Sequence, residues 1–205
     1  MKITDITAQK HNKDRVSVFV DNEYLFSIDG VDAIKHQLKI GMELSGENIE
    51  FYRRECNIAK ARSLAMDIIS RKPLCKKMLK DKLTDKGYDL DIIQEVTEEL
   101  ESIGIIDDYS YALLFAEYAK EKCWGERRFK YELSQKGVEN KIINLVAEEF
   151  CFNDTDEIVE LLKQKYKGQD FNDIKIRQKA SRFLASRGFD FSVINEAINT
   201  IRGEQ

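Results

Sequence analysis

One eleven-residue pattern occurs three times in this chain and restricts its fold more than any other feature. The copies read LTDKGYDLDII, LSQKGVENKII and LASRGFDFSVI, and their glycines are Gly87, Gly137 and Gly188. Self-similarity with a period of about 50 residues indicates a repeat architecture, in which each supersecondary unit buries its apolar face against the next.

Each copy predicts a corner between two helices. A glycine just past a helix suits the left-handed residue of a Schellman ending, in which the residue after the glycine packs on the residue four before it. The pairs in these two positions are Leu83 with Tyr88, Leu133 with Val138, and Leu184 with Phe189. The acidic residue two positions after each glycine can cap the next helix or favour its start. These acids are Asp89, Glu139 and Asp190.

A further helix fits before each corner. The segments ARSLAMDIIS, YALLFAEYAKE and EIVELLKQKY are amphipathic and long enough to form it. The unit is therefore three helices in about 50 residues, and three units in series give a continuous core. We predict repeats over residues 47–104, 105–153 and 154–205.

The first 46 residues predict a small β-rich segment with a core of its own. KITDITAQK, RVSVFV and EYLFSI are rich in β-formers and are separated by the turn residues HNKD and DN, as in a three-strand meander. Asp29 is placed to cap a short helix through VDAIKHQL, and Gly41 predicts a turn.

Composition excludes several functional classes. No apolar run approaches the roughly 20 residues of a membrane span, and the first residues lack the apolar core of a signal peptide. The cysteines are scattered without a CxxC pair, as free thiols in a reducing cytoplasm would be, and His11 and His36 predict no metal site. Neither catalytic nor nucleotide-binding motifs occur. We expect a monomeric, cytoplasmic, non-enzymatic protein without a cofactor.

Charge is distributed unevenly between the helices. A net charge of −4 and a pI near 5.4 argue against indiscriminate nucleic-acid binding. The second helix of each repeat is nevertheless basic, whereas DLDIIQEVTEELE in a third helix carries six acids and no base. The candidate binding residues are Lys72, Lys76 and Lys80 in the first repeat, Arg127, Arg128 and Lys130 in the second, and Lys175, Lys179 and Arg182 in the third.

Several of these residues also have a structural interpretation. Cations in the last turn of a helix offset its dipole by about 0.3–1 kcal/mol. Lys86, Lys136 and Arg187 stand in that position. Asp107 and Asp108 are expected to be N-caps. Trp124 and Tyr131 are expected to be core or partial-core aromatics, with a role as base-stacking platforms as the alternative. For the other cations a solvated helix face is the alternative to a binding role.

The middle repeat resembles the RecX family, regulators of the RecA recombinase, and the resemblance extends over the whole chain. It rests on GIIDDYSYALLFAEYAKEK followed by GERRFKYELSQKG. The residues that match the family pattern are Ile106, Asp107, Asp108, Tyr111, Ala112, Gly125, Arg128, Glu132, Leu133, Lys136 and Gly137, with Phe129 in place of an aliphatic residue. The first repeat departs from the pattern at SRKPLCKKML.

The resemblance implies three tandem three-helix repeats in a curved rod. It also implies binding to the RecA filament on single-stranded DNA, and hence a role in recombination, DNA repair and the SOS response. Most members inhibit RecA, and no enzymatic activity is implied. Two other functions stay open at this point: direct binding of nucleic acid, and a scaffold for another protein. Steep salt dependence would identify the first, and partner capture without nucleic acid the second.

Overall fold

The structure, a computed structural model, describes residues 1–10, 14–152 and 154–204. Within these ranges it has three β-strands and ten α-helices, which confirms a mainly α protein with a small β-rich start. The chain forms two compact units. One comprises Met1–Pro73 and Leu79–Ile106, and the other comprises Leu74–Met78 and Asp107–Gln205.

The N-terminal strands form an antiparallel sheet in the order β1-β2-β3. Their bounds are Ile3–Ala8, Arg15–Val20 and Glu23–Asp29. Alternate residues such as Val18 and Phe26 are buried on one face, as expected for a sheet with one solvated side. Residues 11–13, which contain His11 and most of the predicted HNKD turn, lie outside the described residues.

A short helix, α1 (Gly30–Lys35), follows the sheet. The carboxylate of Asp29 accepts a hydrogen bond from the backbone N–H of Val31 at 2.9 Å, as an N-cap does. The helix ends three residues before the end of VDAIKHQL, so its predicted length is wrong. Gln37 has a φ of +53°, which does not continue a right-handed helix.

The long helix α2 (Gly46–Arg71) continues from the sheet into the first repeat. It begins with a capping box between Ser45 and Asn48. The first half of α2 contributes Tyr52 and neighbouring side chains to the core beneath the sheet, where the rings of Tyr52 and Phe26 are stacked at 5.3 Å. The strands therefore share their core with α2, and the prediction of a separate core before residue 47 is wrong.

The end of α2 and the eight helices that follow it form three sets of three. The first set is the end of α2 with α3 (Lys76–Asp85) and α4 (Leu90–Ser102); the second is α5 (Asp108–Glu121), α6 (Glu126–Lys136) and α7 (Asn140–Phe150); the third is α8 (Thr155–Lys165), α9 (Ile174–Ser186) and α10 (Phe191–Glu204). No helix in the described ranges is long and apolar enough to span a membrane. In the same ranges, no group of three or more His, Cys, Asp or Glu residues is arranged to hold a metal ion.

All three repeated corners are Schellman endings. The φ angles of Gly87, Gly137 and Gly188 are +81°, +85° and +88°. The residue after each glycine donates its backbone N–H to the carbonyl of the leucine five residues earlier, at 3.3, 3.2 and 3.2 Å, and each glycine N–H bonds to the carbonyl three residues back. The corner leucines Leu83, Leu133 and Leu184 are completely buried, which stabilises each repeat by about 1.5–3 kcal/mol per side chain.

The acidic residues that follow the first two corners do not cap the next helix with their side chains. Asp89 and Glu139 occupy the N-cap positions of α4 and α7, but their side chains make no capping hydrogen bond. Their carboxylates therefore favour these helices through the helix dipole alone.

Candidate interaction surface

The N-terminus of α6 is fixed on the corner that ends α9. The backbone N–H of Gly125 donates to the carbonyl of Arg187 at 2.8 Å, and that of Arg127 donates to Gly188 at 3.2 Å. A Cβ on Gly125 would lie 2.6 Å from the Gly188 backbone, so only glycine permits this approach. The second helices of these two repeats thus follow one another end to end.

The first turn of α3 contacts the corner of α6 in a similar way. The thiol of Cys75 donates to the carbonyl of Lys136 at 3.1 Å, and burial raises the pKa of this thiol, which keeps it protonated. The side chain of Lys77 occupies the space beside Gly137, where a Cβ would collide with it. In both α6 and α3, therefore, the N-terminus of the second helix packs against the corner glycine of another repeat.

Asp108 belongs to this contact and is not an N-cap of its own helix. Asp107 caps α5, since its carboxylate accepts hydrogen bonds from Tyr109 and Ser110, and the hydrogen bond from the Ser110 hydroxyl lowers the pKa of Asp107. Asp108 is 96% buried and accepts the backbone N–H of Lys76 at 2.7 Å. The second acid of the pair therefore caps α3, and its predicted role is corrected.

Arg128 is a stacking residue, although its side chain remains 38% exposed. Its guanidinium lies 4.2 Å from the ring centre of Trp124, an arrangement that stabilises both side chains by a cation–π interaction. It also pairs with Glu132 at 3.7 Å and lies within 3.5 Å of the Ser186 carbonyl. Because its backbone also packs against Gly188, reversing its charge would disturb the junction between repeats.

The other two candidates on α6 are surface cations with acidic neighbours. Arg127 is 72% exposed, and its Nε lies 3.7 Å from Asp190. Lys130 pairs with Glu126 at 2.7 Å, one turn away on the same helix. Exposed pairs of this kind contribute only about 0–1 kcal/mol, so both cations are available to a partner at small cost.

The candidates of the first repeat are less uniform than the sequence suggested. Lys72 is exposed but precedes α3, so it does not belong to a second helix. Lys76 begins α3 and is half-buried. The ammonium of Lys80 donates to the amide oxygen of Gln94 at 2.5 Å.

The candidates of the third repeat are the most exposed set. Lys175, Lys179 and Arg182 all lie on α9 and are solvent-exposed. In the ranges that the structure describes, none of their side chains makes an ion pair or hydrogen bond.

The two candidate aromatics differ from one another. Trp124 is half-buried and makes edge contacts with Tyr118 and Phe115 at 5.6 and 6.0 Å, as expected for a core aromatic. Tyr131 is 62% exposed, so its prediction as a core residue is wrong. It lies one turn after Arg127 on the outward face of α6.

The cations at the helix ends have structural partners in the second and third repeats. Arg187 donates to the carbonyls of Lys122 and Cys123 at the end of α5. The ammonium of Lys136 lies 5.4 Å from the ring centre of Phe115. Both side chains therefore connect helices.

The acids of α4 are largely occupied by arginines of α2. Arg54 pairs with Glu95 at 2.6 Å, and Arg62 pairs with Glu99 at 2.7 Å. Reversing the charges of α4 would therefore remove ion pairs within its unit.

Two structural features of the junctions between repeats are not predicted by the sequence. Gly125 was part of the quoted pattern, but its negative φ of −80° gives no turn signal, and only the approach of Gly188 explains the glycine. The second feature is the capping of Lys76 by Asp108, whose only sequence signal is the adjacent pair of acids.

Comparison with known proteins assigns most of the chain to one family. The model described as the regulatory protein RecX N-terminal domain matches residues 1–45, and the first, second and third three-helix domains of RecX match 61–100, 107–146 and 154–198. These matches confirm the three three-helix repeats.

Curated relatives support this assignment, and solved structures share the fold. Regulatory protein RecX of Clostridium botulinum (strain Eklund 17B) is 32% identical over 96% of this chain and 94% of the relative. That of Clostridium tetani is 31% identical over 98% and 94%.

A crystal structure of regulatory protein RecX has the same fold, with a TM-score of 0.77, 22% identity and coverage of 100% of this chain and 99% of that one. RecX from Lactobacillus salivarius gives a TM-score of 0.61 at 21% identity over 73% and 98%. The chain therefore belongs to the RecX family of regulatory proteins.

Proposed function

We propose that this protein regulates the RecA recombinase without enzymatic activity of its own. It binds the RecA filament on single-stranded DNA through the outward faces of its second helices and lowers the activity of that filament. Membership of the RecX family over nearly the whole chain carries this proposal.

Local charge supports the choice of surface. A nucleoprotein filament presents phosphates and acidic side chains together, and this chain has a net charge of −4, so attraction requires a basic region. Arg127 on α6 and the three cations of α9 provide exposed positive charge. Complementary charge acts mainly on the rate of encounter and on orientation, and it weakens as salt increases.

The direct experiment measures DNA-dependent ATP hydrolysis by RecA with and without the protein. We expect hydrolysis to fall as the protein is added, since binding restrains the filament. An unchanged rate at saturating protein would contradict the proposed function.

A charge-reversal pair tests the surface. Arg127→Glu with Lys130→Glu leaves the stacked Arg128 in place and should weaken binding to the filament. Lys141→Glu with Arg202→Glu is the matched control, because these exposed cations lie on the third helices α7 and α10 and the change in net charge is the same. Equal inhibition by both pairs would exclude the α6 face as a binding surface.

A further inference from the structure

The cations of α9 form one stripe on the helix surface. Lys175, Lys179 and Arg182 are separated by four and three residues, so they lie within about 60° around the helix and about 6 and 4.5 Å apart along its axis. The three positive charges therefore form a row along the helix, which can lie beside the row of phosphates of an extended strand.

The stripe occupies positions that have another use in the earlier repeats. Lys179 stands nine residues before its corner glycine, where α3 has Met78 and α6 has Arg128. Met78 accepts a hydrogen bond from the Tyr111 hydroxyl at 3.6 Å, and Arg128 packs on Trp124 and the α9 corner. The position is therefore a stacking position in two repeats and an exposed cation in the third.

Acidic residues do not neutralise the stripe. The whole of α9, IKIRQKASRFLAS, contains no acid. The nearest acid before it, Asp173, is the N-cap, and its carboxylate accepts the backbone N–H of Lys175 at 2.7 Å. On α6, Arg127 and Lys130 each form an ion pair with an acidic side chain. Among the described residues, the three cations of the α9 stripe have no such partner.

The polarity of the stripe distinguishes two kinds of partner. The centre of a protein–protein interface is poor in lysine and usually contains an apolar or aromatic anchor. Surfaces that bind nucleic acid are polar and strongly positive. The face that carries Lys175, Lys179 and Arg182 continues to Ser186. The apolar residues beside it are Ile174, 61% exposed at the first turn of α9, and Phe183, which is partly buried against the core of the repeat.

We infer that the α9 stripe contacts the phosphodiester backbone of a single nucleic-acid strand. Each of the three cations neutralises one phosphate, and the contact is independent of base sequence. This inference rests on the proposed function, because the strand is taken to be the single-stranded DNA of the RecA filament. The phosphate contact is assigned to α9 and not to α6.

The test uses a fluorescently labelled single-stranded oligothymidylate and full-length protein, with anisotropy measured over a series of salt concentrations. For single strands the logarithm of the binding constant changes with that of salt by about 0.7 per phosphate contacted, so removing three contacts lowers the slope by about 2. We expect this loss in the variant Lys175→Gln, Lys179→Gln, Arg182→Gln. Circular dichroism checks that the variant is folded.

A second triple variant controls for net charge. Lys141→Gln, Lys167→Gln, Arg202→Gln removes three exposed cations from elsewhere in the same unit and should keep the wild-type slope. The inference is overturned if both triple variants have equal slopes, or if the wild type fails to bind oligothymidylate at low salt.

RecA ATP hydrolysis, measured in parallel, separates this inference from the proposed function. Loss of inhibition by the α9 variant with an unchanged salt slope would identify an acidic protein partner and overturn the phosphate contact. A wild type that leaves RecA hydrolysis unchanged while the α9 variant loses slope would contradict the proposed function and support the phosphate contact.

Discussion

Three glycine substitutions separate the cost of backbone strain from the cost of lost space at the repeat junctions. Gly87 has a positive φ, but a Cβ there would meet nothing within 4 Å. Gly125 has an ordinary φ, but its Cβ would lie 2.6 Å from the backbone of the next corner. Gly188 combines both conditions, because its φ is +88° and its Cβ would collide with the backbone of Arg128.

The expected losses in free energy of unfolding follow from these conditions. Gly87→Ala should cost about 1–2 kcal/mol, the penalty for an L-residue in the left-handed region. Gly125→Ala should cost about 2–4 kcal/mol, because overpacking adds to the weakening of two backbone hydrogen bonds. Gly188→Ala should cost about 2–5 kcal/mol, since strain and overpacking act together.

Chemical denaturation measures these losses. The single tryptophan, Trp124, lies beside the α6–α9 junction, so its fluorescence reports on the unit that contains Gly125 and Gly188. Circular dichroism follows Gly87→Ala in the other unit. Because Gly125 and Gly188 share one contact, the double variant should be less destabilised than the sum of the single variants. A wild-type midpoint for Gly125→Ala, or equal losses for Gly87→Ala and Gly188→Ala, would refute the close approach.

Three further variants test other parts of the structure. Burial raises the pKa of Tyr111 from 10.0 to about 12, so ionisation of the hydroxyl favours the unfolded chain. Stability should therefore fall as the pH rises from 10 to about 12. Denaturant midpoints measured across this range should fall less in Tyr111→Phe. Asp108→Ala leaves the Lys76 N–H without this acceptor and should cost about 1–3 kcal/mol, with faster hydrogen exchange at that amide. Removing residues 1–45 should leave Trp124 fluorescence unchanged while amides around Tyr52 exchange faster, because the start of α2 loses its packing on the sheet; a change in Trp124 fluorescence would contradict this independence.

The corners were predictable because their determinants are local. The glycine, the leucine four residues before it and the apolar residue after it fix a Schellman ending within six residues of chain. The same holds for the strands and for Asp29, whose cap involves a neighbour two residues away. The fold class followed from repeating such local signals three times.

The contacts of the candidate cations could not be predicted, because their partners are distant in sequence. Arg128 lies 58 residues from Ser186, and the amide of Lys76 lies 32 residues from Asp108. A helical pattern specifies which face of a helix is polar, but not which part of that face another repeat covers. Tyr131 was misplaced for the same reason, since aromatic character alone does not reveal exposure.

Recurrence of basic second helices in the sequence is therefore not recurrence of one role. At the same repeat position, Met78 and Arg128 contact the following repeat, whereas Lys179 faces solvent. Cations that stack, cap or pair within the fold have to be set aside before charge is assigned to a partner. That step leaves α9 as the helix with the largest set of unengaged candidate cations in the described ranges, and it explains how a chain with a net charge of −4 presents a locally positive surface.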